Sequence, residues 1–137
     1  MARSVRPTVG QRLAAAAELL DGTVTDAGGV WSRATVWMLR IALEQSVDRL
    51  WSRICPPLAR CSMRAQLLAL DGCAGPDVAG QVAGLWAVLS RAGHHLDYEP
   101  APSVAELRDW YEQTAALAAE LERIEPGQAP AVFARHH

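Results

Sequence analysis

Several absences narrow the reading of this chain. It has no lysine: all 13 basic side chains are arginine, and alanine is abundant, a bias that follows GC-rich coding. The charge imbalance is small, 13 bases against 15 acids for a net −2, so no global basic field draws the chain to nucleic acid or acidic lipid. A local basic patch is still allowed. Cysteine is scarce. Cys55, Cys61 and Cys73 are odd in number and lack paired CxxC spacing, which suggests neither a disulfide framework nor a zinc site. Free thiols point to a reducing, cytoplasmic setting. No apolar run approaches the roughly 18 residues of a membrane span, and Met1 to Ser4 lacks the apolar stretch of a signal peptide. No membrane partner and no cofactor are expected. Period-2 alternation is scarce, which leaves little room for strands. The 50% apolar content excludes a mostly disordered chain, and 137 residues fit one domain.

What is present reads as helix throughout. Residues 8–125 are expected to form a single domain and 126–137, with two alanine-proline steps and no period, a loose tail. Thr8 and Gln11 have capping-box spacing at the head of an alanine- and leucine-rich helix that stops at Asp21 and Gly22. The longest helix is expected over 30–54, with an apolar stripe at Ala34, Trp37, Met38, Ile41, Leu50, Trp51 and Ile54. Glu44 and Asp48 fall close to that stripe, and Arg40, one turn before Glu44, is placed to pair with it. Pro56 and Pro57 end this helix. A short helix follows over 63–70, then a turn over 71–76.

Pro76 and Asp77 suit the start of a third long helix whose stripe runs Val78, Val82, Leu85, Trp86, Leu89, Gly93 and Leu96. Gly80 and Gly84, one turn apart, would let another helix approach closely. Ser103 and Glu106 form a full capping box before a last helix carrying Leu107, Trp110, Tyr111, Leu117 and Leu121, ended by Glu125 to Gly127. Four main helices and a short one predict an all-α fold, an antiparallel bundle of four to five helices. The tryptophans at 37, 51, 86 and 110 are expected in the core, with Trp31 the most exposed.

The chemistry concentrates at Leu89-Ser90-Arg91-Ala92-Gly93-His94-His95, with Asp97, Tyr98 and Glu99 just beyond. Arg91 and His95 are four apart, so they share a helix face, and Ser90 and His94 repeat the relation beside them. A helix C-terminus favours the histidine cation. Such a histidine serves as general acid or base, and an adjacent guanidinium holds a phosphate and steadies transition-state charge. The pair suits phosphodiester cleavage without metal. Two plainer readings stand beside it. Histidines gather at helix C-termini for the dipole alone, and Arg91 has Asp97, Glu99 or Glu44 as salt-bridge partners. A metal site is disfavoured, because adjacent histidines on a helix rarely converge and no HxxxH or ExxH pair is present. A basic stretch at Arg49, Arg53, Arg60 and Arg64 is either a phosphate-contacting patch or a solvated helix end.

The helix order, the Trp37-x-x-Arg40-x-x-x-Glu44 stretch and the Arg91 to His95 segment resemble the HEPN superfamily over roughly residues 8–125. The resemblance implies a small helical bundle that homodimerises and brings two Arg/His pairs to one cleft. It implies a metal-independent endoribonuclease of toxin or antiviral-defence type. Arg91 would hold the phosphate of an RNA substrate, and His95 or His94 would act as the acid/base, with Ser90, Tyr98, Glu44 and Arg40 in support. The spacer here, three residues to His95 and two to His94, is shorter than the family's usual one. The alternative is a member without catalysis: a dimerisation module, or one that binds an operon-encoded partner protein.

Overall fold

A computed structural model describes residues 6–21, 30–94 and 101–126, and the side chains at 30 and 31 lie outside that description. Among the described residues the chain is all-α, without strands. There are four long helices, α1 (Val9–Asp21), α2 (Val30–Ile54), α6 (Pro76–Gly93) and α7 (Val104–Glu122). Three short ones, α3 (Pro56–Ala59), α4 (Met63–Ala69) and α5 (Asp71–Ala74), lie between α2 and α6. No helix among the described residues is long and apolar enough to cross a membrane.

Local chemistry sets the ends. The Thr8 hydroxyl accepts from the Gln11 amide at 3.0 Å while the Gln11 side chain accepts from the Thr8 amide at 2.9 Å. Ser103 and Glu106 make the same reciprocal pair at the head of α7. Each box satisfies two amide groups that a helix start leaves without partners. Ser62 caps α4 by accepting from Ala65 N. Pro56 and Pro57 end α2 and, with no amide hydrogen to lose, open α3 as well. The segment expected as a turn at 71–76 is instead the four-residue α5, closed by Gly75, whose φ of 88° only glycine adopts without strain.

Helix α2 is the central element. Its packed arc is Val36, Leu39, Leu43, Val47, Leu50 and Trp51, all wholly or almost wholly buried. This corrects the expected stripe in its first half: Trp37 is 52% exposed, and Ala34 and Ile41 are only half-buried. Both sets of positions satisfy three-and-four spacing, and they differ only in phase. The leucine-valine arc is the one that meets α1, α6 and α7 together. On α6 the buried arc is Ala79, Val82, Leu85 and Leu89, and α7 contributes Leu107, Leu117 and Leu121. Trp86 and Trp110 pack at the edge of this core, half-buried. Each fully buried leucine stabilises the fold by about 1.5–3 kcal/mol. Trp51 anchors the α3–α4 corner: its ring is buried and its Nε1–H donates to Gln66 O at 3.1 Å.

Five contacts set the helix directions. Gln45 Nε2 donates to Pro7 O, while Arg12 lies over the Trp37 ring, so α1 runs against α2. Arg108 reaches Leu20 O, so α7 starts where α1 ends. Arg53 reaches Leu121 O, so α7 finishes beside the end of α2. The short helices turn the chain at that same end, and α6 returns antiparallel to α2, with Trp86 level with Glu44. The remainder of α6 therefore runs toward the first half of α2. Gly80 and Gly84, expected to admit a neighbouring helix, are exposed, and a Cβ built on either would meet nothing within 4 Å. Among the described residues no other helix of this chain uses that face.

Candidate functional site

The contact that positions the site lies between α2 and α6. Trp86 Nε1–H donates to Glu44 Oε2 at 2.8 Å, part-buried. The expected Arg40–Glu44 ion pair is absent among the described residues, and this is a correction. Glu44 sits on the α2–α6 seam, where the indole of the facing helix offers a fixed, part-buried donor. Arg40 would have to order a long side chain to compete.

One turn further, in the direction in which both helices leave that contact, come Arg40 on α2 and Ser90 on α6. With 1.5 Å of rise per residue, each is about 6 Å beyond the Glu44–Trp86 level. Both carry a buried polar atom without a hydrogen-bond partner, Arg40 Nε and Ser90 Oγ. Such groups cost free energy in an apolar setting and are rare for that reason.

At the end of α6, Arg91 and His94 are exposed. His94 caps the helix: its amide donates to Arg91 O at 3.1 Å and its backbone leaves the helical region. Arg91 has no ion pair among the described residues; of the three acids named as its alternative partners, Glu44 does not pair with it, and Asp97 and Glu99 lie outside the described residues. His95, Tyr98, Asp97, Glu99 and Leu96 lie outside the described residues, as do residues 22–29 and the segment from 127. Along the helix axes Arg40 and Ser90 thus stand one turn beyond the Glu44–Trp86 contact, and Arg91 and His94 follow at the end of α6. Chemically, this end offers a guanidinium fork, unpaired among the described residues, for an oxyanion and an imidazole for proton transfer. Among the described residues no three metal-ligating side chains come together.

The basic stretch near the proline break resolves differently. Arg49 and Arg53 both reach Glu122, at 3.0 and 3.3 Å, and Arg53 also donates to Leu121 O and Ile124 O. Those two arginines hold the end of α7. The cations that sequence reasoning passed over are Arg12 and Arg33, with Trp37 between them. Arg33, Trp37 and Arg40 recur at four and three residues, a signal visible in the sequence once Trp37 is taken out of the core. Trp86 as the partner of Glu44 had no such signal, since the pairing joins positions 42 apart in the chain.

No family model matches the chain, and no curated protein and no solved structure matches it.

Proposed function

We propose that the protein is a HEPN-like helical bundle acting as a metal-independent endoribonuclease of toxin or defence type, with its site at a homodimer cleft. The observation that carries this reading is the free, exposed Arg91 at the end of α6, one turn before the histidines and unpaired among the described residues. In the proposed reaction the RNA 2′-hydroxyl attacks the adjacent phosphorus. His95 or His94 takes its proton, and a proton is returned to the departing 5′-oxygen. Arg91 offsets the charge on the phosphorane oxygens. Arg91 is exposed, where a guanidinium–phosphate contact is weak, and a second copy closing over it would strengthen that contact. The test compares wild type with Arg91→Ala and His95→Ala on total RNA in EDTA. Cleavage leaving 2′,3′-cyclic phosphate ends, lost in both variants, supports the reading. Loss of wild-type activity with the chelator, or no cleavage by a folded dimer, overturns it.

One observation favours a second reading, a non-catalytic dimerisation or partner-binding module. Gly80, Gly84 and the 41%-exposed Val88 share the solvent face of α6, with open space at both glycines. Gly84→Leu abolishing association or phenotype, while both His→Ala changes leave them intact, would select that reading.

A further inference from the structure

Trp37 is the one tryptophan with half its surface in water, at 52% exposure among the described residues. On an ideal helix, positions 33, 37 and 40 fall within about 60° of one another, so Arg33, Trp37 and Arg40 line one strip along the first half of α2. Neither arginine has a salt bridge or hydrogen bond among the described residues, and Arg40 Nε is both buried and unpartnered. A third cation joins from α1: the Arg12 guanidinium carbon lies 5.9 Å from the centre of the Trp37 ring, held by a 2.6 Å bond from its Nε to Gln45 Oε1. Beside the ring, a cleft of about 630 Å³ opens between α1 and α2, walled by Pro7, Gln11, Arg12, Ala15, Trp37 and Met38.

A half-exposed indole, with Arg12 over its ring and, beside it, two guanidinium groups without ion pairs among the described residues, is costly to display without a use. Burying the ring would stabilise the fold, and nearby carboxylates would ordinarily neutralise the cations. Glu44 is the acid on this strip, at its far end, and one of its oxygens is taken by Trp86. The combination matches what a flexible polyanion with exposed aromatic bases requires: bases stack on an aromatic plane and arginines follow the phosphates. A duplex hides its bases and cannot use the ring.

We propose that the Arg33–Trp37–Arg40 strip binds single-stranded RNA, with a base stacked on Trp37 in the α1–α2 cleft and flanking phosphates on Arg33 and Arg40. The choice of RNA rests on the endoribonuclease reading above. Along the helix axes Trp37 lies about 10 Å beyond the Glu44–Trp86 level and Arg91 about 8 Å beyond it, so both stand at the same end of the molecule. A strand held on the strip is therefore delivered toward the end of α6.

The test uses the full chain and a fluorescein-labelled 2′-O-methyl oligouridylate of roughly 12 nucleotides, which cannot be cut through its 2′-oxygen and covers a typical site. Binding is followed by fluorescence polarisation across salt concentrations. The expected result is measurable binding, weakened roughly 5- to 150-fold by Trp37→Ala. Arg33→Ala is expected to reduce the slope of log affinity against log salt by about 0.7, the release from one phosphate contact. Trp37 and Arg33 are exposed, so both variants should fold, and circular dichroism checks this. No binding by wild type, or Trp37→Ala binding as tightly as wild type, overturns the proposal. Binding through Trp37 without cleavage of total RNA leaves the strip standing and removes the catalytic reading. Cleavage with an unchanged KM in Trp37→Ala does the reverse.

Discussion

Replacing Trp86 by phenylalanine removes the one donor among the described residues that reaches Glu44 across the α2–α6 seam and leaves a half-buried carboxylate without it. A hydrogen bond to a charged group contributes about 1.5–3 kcal/mol to stability. The site is only part-buried, so the lower half of that range applies, and Trp86→Phe should cost about 2 kcal/mol. For 137 residues, unfolding entropy makes each kcal/mol worth about 3–4 °C in Tm, so a drop of about 7 °C is expected in a thermal melt. Glu44→Gln keeps an acceptor in place and forfeits only the charge assistance, for about 1 kcal/mol. The decisive variant is the pair Trp86→Phe/Glu44→Gln. Once the indole is gone, the charge on Glu44 is a liability, and the double variant should cost about 1 kcal/mol less than the two singles added. Amides in the last two turns of α6 should also exchange faster in Trp86→Phe, because this bond ties α6 to α2 just before the helix enters those turns. Additive costs, within about 0.3 kcal/mol, would refute the claim that the two side chains act on each other.

Two further outcomes follow from the charge and thiol environments. Arg49 and Arg53 beside Glu122 hold its carboxyl below the ordinary value of 4.5, chiefly through the Arg49 hydrogen bond. The folded state binds the carboxylate form better than the unfolded chain does, so the contribution is complete above that ordinary value and disappears as pH falls through the lower, folded one. Glu122→Gln should therefore be less stable than wild type at pH 7, by under about 1 kcal/mol for so exposed a pair. The difference should shrink in high salt and vanish in acid, and urea titrations at three pH values read it. Among the thiols, burial pushes Cys73 up to about 11, whereas Cys61 is exposed. With a disulfide reagent at pH 8, Cys61 should react first and Cys73 last, and mass mapping giving the opposite order would contradict the placement of α5.

The long helices and their caps were legible in the sequence because their signals are local. Thr8–Gln11 and Ser103–Glu106 are each complete within four residues, and the extent of α2 follows from Val30 to the proline pair. The rotational phase of α2 was not legible. Trp37 and Leu39 both sit on acceptable three-and-four patterns, and which one is buried depends on where α1, α6 and α7 stand. A tryptophan's size drew the stripe toward itself, while the helix's own leucines fixed the actual core. The site shows the same division. Arg91 and the histidines stood out as an abrupt polar ending to an apolar helix, whereas the Glu44–Trp86 bond depends on two helices meeting at one level. Intrahelical reasoning assigned Glu44 to Arg40, and tertiary packing supplied the better donor. Gly80 and Gly84 suggested a close helix neighbour by spacing alone, and none of the described helices takes that place.

The distribution of arginine shows why net charge was a poor guide to this molecule. Helix C-termini leave carbonyl groups unpaired, and guanidinium donors are well suited to them. Arg53 takes two such carbonyls at the end of α7, and Arg108 takes Leu20 O at the end of α1 while pairing with Asp21. Arg49 and Arg123 add ion pairs to Glu122 and Glu120. These arginines are occupied in closing helices, and their carboxylate partners are spent on them. Arg33, Arg40 and Arg91 bond no such carbonyl among the described residues, and the acid nearest Arg40 in the chain, Glu44, is engaged by an indole. A chain with a formal excess of two acids thus keeps several guanidinium groups without an ion pair among its described residues; Arg33, Arg40 and Arg91 stand toward the end where α2 begins and α6 finishes, while Arg60 and Arg64 lie just past the end of α2. Removing Arg33, Arg40 and Arg91 together should weaken binding of the labelled oligouridylate more than removing Arg60 and Arg64, and the reverse order in fluorescence polarisation would place the anion site at the other end of α2.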